Sequence, residues 1–188
     1  MNKSDVLKCY EAGDFFKNAD LVGIDLSHIK LAKADFSEAN LQFAEFNGTD
    51  LSESNFNYAD LSNADLSGAI LRNAFLVGAN LTNANLEQTD LRGAFLGGST
   101  LCSTNFRDAD LKGAIIGSPN WIVPDAFSPY TDFEGANLEG TTFGETTPKG
   151  VSMLGAKFTS AYLYEVNFSE SVYYPQQLEE AIINKIVR

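Results

Sequence analysis

Large apolar residues recur at every fifth position through most of this chain. The column reads Phe16, Leu21, Leu26, Leu31, Phe36, Leu41, Phe46, Leu51, Phe56, Leu61, Leu66, Leu71, Leu76, Leu81, Leu86, Leu91, Leu96, Leu101, Phe106, Leu111 and Ile116, and no member is polar. Two residues before each stands a small residue, usually Ala, with Thr49, Ser54, Thr89, Ser99 and Thr104 among the replacements and Ile24 and Ile29 as large exceptions. Neither regular structure repeats at five. Five helical residues turn about 500°, so the column would drift by about 140° per repeat. A strand would send successive members to opposite faces. The pattern demands a coil that turns one corner per repeat. The large and small residues then point inward together, and the other three point out.

The motif itself is Ala-(Asp/Asn)-Leu followed by two free positions, as in Ala34-Asp35-Phe36, Ala59-Asp60-Leu61, Ala64-Asp65-Leu66, Ala79-Asn80-Leu81, Ala84-Asn85-Leu86, Ala109-Asp110-Leu111 and Ala136-Asn137-Leu138. An unbroken run of these resembles the pentapeptide-repeat family. The resemblance implies an all-β fold, a right-handed quadrilateral parallel β-helix with four repeats per square coil, to which the chain's own ends are expected to add short N- and C-terminal capping helices. The opening Val6-Leu7-Lys8-Cys9-Tyr10-Glu11-Ala12-Gly13 resembles the N-terminal cap of cyanobacterial members.

Three regions follow. Residues 1–13 form an N-terminal cap, with Ser4 N-capping a helix from Asp5 to about Ala12 and Gly13 ending it. The β-helix occupies 14–174. It is interrupted by a loop at 117–130, where Pro119, Pro124 and Pro129 oppose ladder pairing and the frame shifts by two. A softer break falls near 145–150, at Pro148, and the wall is expected to resume after the loop near Thr131. Residues 175–188 read as a C-terminal helix, because Leu178, Ile182 and Ile186 are spaced four apart, with Ile183 and Val187 widening the stripe.

With four repeats per coil, residues 20 apart stack at about 4.8 Å. One outward column then reads Phe15, Asp35, Asn55, Phe75, Phe95, Ile115, apolar in its upper half where the motif favours Asp or Asn. Phe75, Val77, Phe95, Ile115 and the loop residue Trp121 are therefore the candidate interaction surface, since contiguous exposed apolar area marks contact. The alternative is that the loop folds back and covers the patch. Arg72, Arg92 and Lys112 form a further column beside Asp90 and Asp110, readable as an anion site or as a ladder of surface ion pairs. The stacked Asp25, Glu45 and Asp65 offer oxygen ligands to a hard cation but are few and convex.

Composition narrows function further. The 188 residues carry 13 Lys+Arg against 25 Asp+Glu, a net charge of −12 that opposes direct binding to nucleic acid or anionic membrane. No apolar run of about 18 residues and no signal core is present, so a cytoplasmic protein is expected. The single histidine, His28, has no acid at a telling spacing, and Cys9 and Cys102 stand about 19 Å apart along the coil axis, too far to pair. No catalytic, metal or cofactor motif appears, and side chains fill the interior. The expected function is a non-catalytic scaffold or regulator that binds a partner protein. The alternative rests on the resemblance: family members that protect DNA gyrase mimic duplex DNA in width and charge, and such mimics dimerise through the C-terminal end. The stripe Leu178, Ile182, Ile183, Ile186 and Val187 is the expected cap face, and because it is wider than one coil end can cover it is also the expected homodimer face.

Overall fold

Each repeat bends the chain through one corner, and the corner is a tight turn of fixed chemistry. The N–H three residues after the large core residue donates back to that residue's carbonyl, as from Ala39 to Phe36 at 3.1 Å and from Ala84 to Leu81 at 2.9 Å. The third turn residue has positive φ, the type II requirement. Glycine serves at many corners, but among the described residues fourteen non-glycine residues also adopt φ between 53° and 65°, including His28, Phe43, Tyr58 and Asn73.

In the computed structural model, residues 1–13, 16–117, 131–141, 158–167, 175–179 and 181–187 are described. Four corners bring the chain back above its start as a right-handed quadrilateral parallel β-helix. One bridged residue per repeat pairs in parallel with its counterpart one coil on: Asp20 with Asn40, Asp65 with Asn85, Phe75 with Phe95. Three backbone bonds per repeat bind each coil to the next, as in Leu61 N–H to Asn80 O, Asn63 N–H to Thr82 O and Asn80 N–H to Ala59 O, at 2.8–3.0 Å.

The inward assignment holds through the described array, with Ala19 and Ile29 of the small column only partly buried at its start. Leu61, Leu66, Leu81 and Leu86 are wholly buried, with Ala64 and Ala84 beside them. Buried hydroxyls in the small column are all satisfied. Thr49, Thr89 and Thr104 each donate to a leucine carbonyl of the preceding coil, at 2.6–2.9 Å, whereas Ser54 and Ser99 donate to the carbonyl of their own turn. The first face, centred on Phe16, Phe36, Phe56, Leu76, Leu96 and Ile116, carries stacked phenyl rings 5.0 and 5.1 Å apart at its start.

The proline-rich stretch 118–130 lies outside the described residues, but its consequence is visible on both sides. Asp110 pairs with Asn137, whereas the regular step would end at position 130, so the coil carries seven extra positions and the frame moves by two. The wall resumes at Thr131, whose hydroxyl donates to Leu101 O at 2.7 Å, the bond made by other threonines of its column. Phe106 and Phe133 stack across the gap at 5.0 Å. Arg107 reaches Glu134 at 2.6 Å and Lys112 reaches Glu139 at 2.9 Å across the same step. Phe133 then stacks on Phe158, one pentapeptide further along the chain than the regular step. Five extra positions therefore fall between Thr141 and Phe158, and the softer break expected near 145–150 lies there, outside the described residues.

Both ends depart from expectation. Helix α1 spans Lys3–Ala12 and is N-capped by Asn2, not Ser4. Asn2 and Asp5 form a reciprocal capping box, which Ser4 would lack because Leu7 stands three residues on. Gly13 ends the helix at φ 78°, as expected. Val6 is buried, Tyr10 donates to Ala32 O at 2.8 Å, and Lys3 donates to Ser27 O at 2.6 Å. Hydrogen bonds from the Ser27 hydroxyl and N–H, with Lys3 adding its charge, lower the Asp25 carboxyl to about 2.

The C-terminal helix expected over 175–188 is not formed. A 3₁₀ turn, Pro175–Leu178, leads into strand β2, Ile182–Val187, which pairs in parallel with strand β1, Tyr162–Asn167. β-Branched Ile182, Ile183, Ile186 and Val187 favour a strand over a helix. Pairing also occupies backbone groups that β1 would otherwise leave open at the solenoid end. Leu178 is buried and extends the core column by one regular coil beyond Phe158. The helical spacing that grouped these five residues does not apply, and the dimer face expected from it loses its basis.

Leu81→Ala should lower unfolding stability by about 2–5 kcal/mol through the cavity it leaves. Ala84→Leu should lower it by about 1–3 kcal/mol through overpacking. Denaturant unfolding that matches the parent for both variants would refute the inward placement.

Candidate interaction surface

In most repeats the residue before the core position is Asp or Asn, and its side chain has a job. Its oxygen accepts from the N–H two residues on, closing a local turn: Ser37 to Asp35 at 3.0 Å, Ser67 to Asp65 at 3.0 Å, Lys112 to Asp110 at 3.1 Å. Its amide, where present, also reaches the coil below, as from Asn85 to Asp65 at 3.1 Å and from Asn105 to Asn85 at 2.9 Å. A ladder of short polar side chains thus braces the outer wall.

Phe75, Phe95 and Ile115 break that ladder on the first face. They stack directly, with the Phe75 and Phe95 rings 5.3 Å apart and 7° from parallel. They remain 41%, 36% and 39% exposed. None has a side chain that can accept a hydrogen bond. The Val77 N–H turns instead to Asn57 Oδ1 of the coil below, at 2.9 Å. Gly97, next above, is buried, and among the described residues no side-chain acceptor reaches its N–H. The apolar column therefore forgoes the turn-closing side-chain bond that Asp or Asn makes in other repeats.

Tyr58 belongs to the same surface. It occupies the corner below Gly78 and is 50% exposed, and a Cβ on Gly78 would stand 2.6 Å from its ring. The ring therefore lies across Gly78, beside Val77. Sequence reasoning missed it, although a tyrosine one coil below a glycine in a corner column was the available signal. Val77 is half-buried, and Trp121 lies outside the described residues.

The corner before this face carries Arg72, Arg92 and Lys112. They form ion pairs. Arg92 grips Asp90 through two bonds, 2.9 and 2.8 Å, and Arg72 donates to it from Nε at 2.6 Å. Burial alone would raise the Asp90 carboxyl, but hydrogen bonds from Arg92 and Arg72 outweigh it and hold the pKa below the usual carboxylate value. Arg72 spends only Nε, and among the described residues its two terminal nitrogens have no partner.

The other candidates resolve simply. His28 is an exposed corner residue 3.2 Å from the Asn47 amide. Cys9 and Cys102 are not joined in a disulfide. Among the described residues no three His, Cys, Asp or Glu gather as a metal-binding group, and no helix is long and apolar enough to cross a membrane.

The family model for pentapeptide repeats matches in 8 copies, over residues 19–57, 59–98, 79–116 and 131–171. No curated protein matches significantly. Among solved structures, HetL, a pentapeptide repeat protein involved in heterocyst differentiation regulation in Nostoc sp. strain PCC 7120, is 28% identical, with 99% of this chain and 94% of that one covered and a TM-score of 0.45. Rfr23 from Cyanothece 51142 is 24% identical, with 91% and 99% covered and a TM-score of 0.49. QnrB1, a plasmid-mediated fluoroquinolone resistance protein, is 18% identical, with 89% and 92% covered and a TM-score of 0.44.

Asp90 gives a pH signature. Its lowered folded pKa means that its contribution is fully present above the unfolded carboxylate value of about 3.9 and is lost as pH falls through the folded value. Asp90→Asn should therefore lower the melting temperature at pH 6 and make its decline between pH 5 and pH 2 shallower. An acid limb identical to the parent's would show that Asp90 is not held by the two arginines in solution.

Proposed function

The chain belongs to the pentapeptide-repeat family, and we propose that it acts as a non-catalytic scaffold or regulator that binds a partner protein through the first face. The observation that carries this reading is the column Phe75, Phe95, Ile115. It keeps more than a third of each side chain in water and gives up hydrogen bonds that Asp or Asn would make. Stability gives no reason for that choice, whereas a binding surface does. A solenoid suits the role, because inward residues fix the shape and outward residues are free to vary.

A second reading, mimicry of duplex DNA toward a type II topoisomerase, is favoured by the net charge of −12. Arg72, Arg92, Arg107 and Lys112 weigh against it, because they interrupt the acids in the middle coils.

Phe75→Ser/Phe95→Ser should fold and melt close to the parent, since both residues are outside the core. Affinity capture from extracts of the source cell should recover a partner with the parent and lose it with the variant. Identical captures would reject the first face as the binding surface. Inhibition of gyrase supercoiling by the parent at micromolar concentration would favour the second reading.

A further inference from the structure

The apolar column runs between unlike borders. On the side toward Asn80 and Thr100 the wall is uncharged. On the other side, one corner before the column, stand Arg72, Arg92 and Lys112, three coils in a row. Among the described residues no other column stacks three cations, and the rest of the surface is dominated by the acids of a chain with net charge −12. No acid lies in the column from Phe75 to Ile115. The cations do not contribute equally. Arg92 is committed to Asp90 by two bonds and Lys112 to Glu139. Arg72 is half exposed, is tied to Asp90 only through Nε, and turns no other nitrogen to a described residue. It stands three residues before Phe75, across the same corner.

We propose that the occupant of this face is a segment of a partner protein that combines apolar side chains with carboxylates. Its apolar residues lie along Phe75, Phe95 and Ile115, and one carboxylate takes the free fork of Arg72. This rests on the first face being the binding surface. A planar guanidinium presents paired N–H groups that match a carboxylate edge, so Arg72 fixes orientation as well as charge. The argument from complementarity is one of choice between faces. A basic segment would meet stronger attraction on the acidic columns elsewhere, such as Asp25, Glu45 and Asp65, than beside cations already paired with acids. An acidic segment is repelled by those columns and here meets the one column of three stacked cations among the described residues, with the terminal nitrogens of Arg72 still open.

Selection of a random dodecapeptide library on the intact chain tests this, followed by fluorescence anisotropy of the recovered peptides. The expected consensus pairs aromatic or aliphatic residues with Asp or Glu, and binding weakens as salt rises. Arg72→Gln should weaken it about tenfold, as loss of a charged hydrogen bond does. Arg72→Lys should recover part of it, and Phe75→Ser/Phe95→Ser should abolish it. Replacing the peptide's acids by Gln on the unaltered protein gives the same readout without touching the fold. Peptides that need Phe75 and Phe95 but are neutral or basic would overturn the proposal and leave the binding face standing. So would affinity unchanged by Arg72→Gln and by the peptide's Gln replacements. Selection that yields no peptide dependent on Phe75 and Phe95 would overturn both. A protein dimer seen by light scattering and dissolved by the double serine variant would make the occupant a second copy, and would also overturn it.

Discussion

The backbone ladder between successive coils leaves each coil one way to lie on the next. Leu61 N–H must find Asn80 O, and Asn80 N–H must find Ala59 O, or the bonds of a whole coil are lost together. Everything else follows from satisfying that register. Corners must close in the type II geometry even where the residue is Phe43 or Glu53, which costs a non-glycine residue about 1–2 kcal/mol. Large residues must alternate with small ones because the interior is only as wide as the square allows. Insertions must leave through a corner and return in register, and Thr131 does so, with its hydroxyl on Leu101 O.

The same constraint explains what could be read in the sequence. The core column, the inward alanines and the shift at 118–130 were legible because each has a period or breaks one. The extra pentapeptide between Phe133 and Phe158 was not, because an insertion of five leaves a five-residue frame untouched. Pro148 marked its neighbourhood without giving its size. The C-terminal segment misled for a different reason. Leu178, Ile182 and Ile186 are spaced as a helix face, yet Leu178 also continues the core column one regular coil beyond Phe158. The open edge of β1 decided between the two patterns, and an edge is a property of the assembled coil, invisible in a short window of sequence.

At the surface, the column Phe75, Phe95, Ile115 was legible as a departure from a strict motif. Its surroundings were only half so. The pairing of Arg72 and Arg92 on Asp90 could be anticipated from their columns, but the unequal use of the two guanidiniums could not. Arg92 takes both Asp90 oxygens from within its own repeat, two residues away, so Arg72 from the coil below can add only a single bond through Nε. Side-chain reach across one coil decides this, and the five-residue frame carries no trace of it.

That inequality connects the solenoid's mechanics to its recognition. Where the outward residue before the core position is Asp or Asn, it is spent on the wall, closing its own turn and holding the coil below. Asp90 goes further and immobilises two cations, while Phe75 and Phe95 hold no turn and Arg72 keeps part of its fork. A rigid wall then presents rings and an unspent guanidinium in fixed relation, with little side-chain freedom left to lose on contact. Such pre-organisation lowers the entropy of binding that a flexible loop would have to surrender. The residues whose side chains contribute least to bracing the wall are thus those best placed to meet a partner.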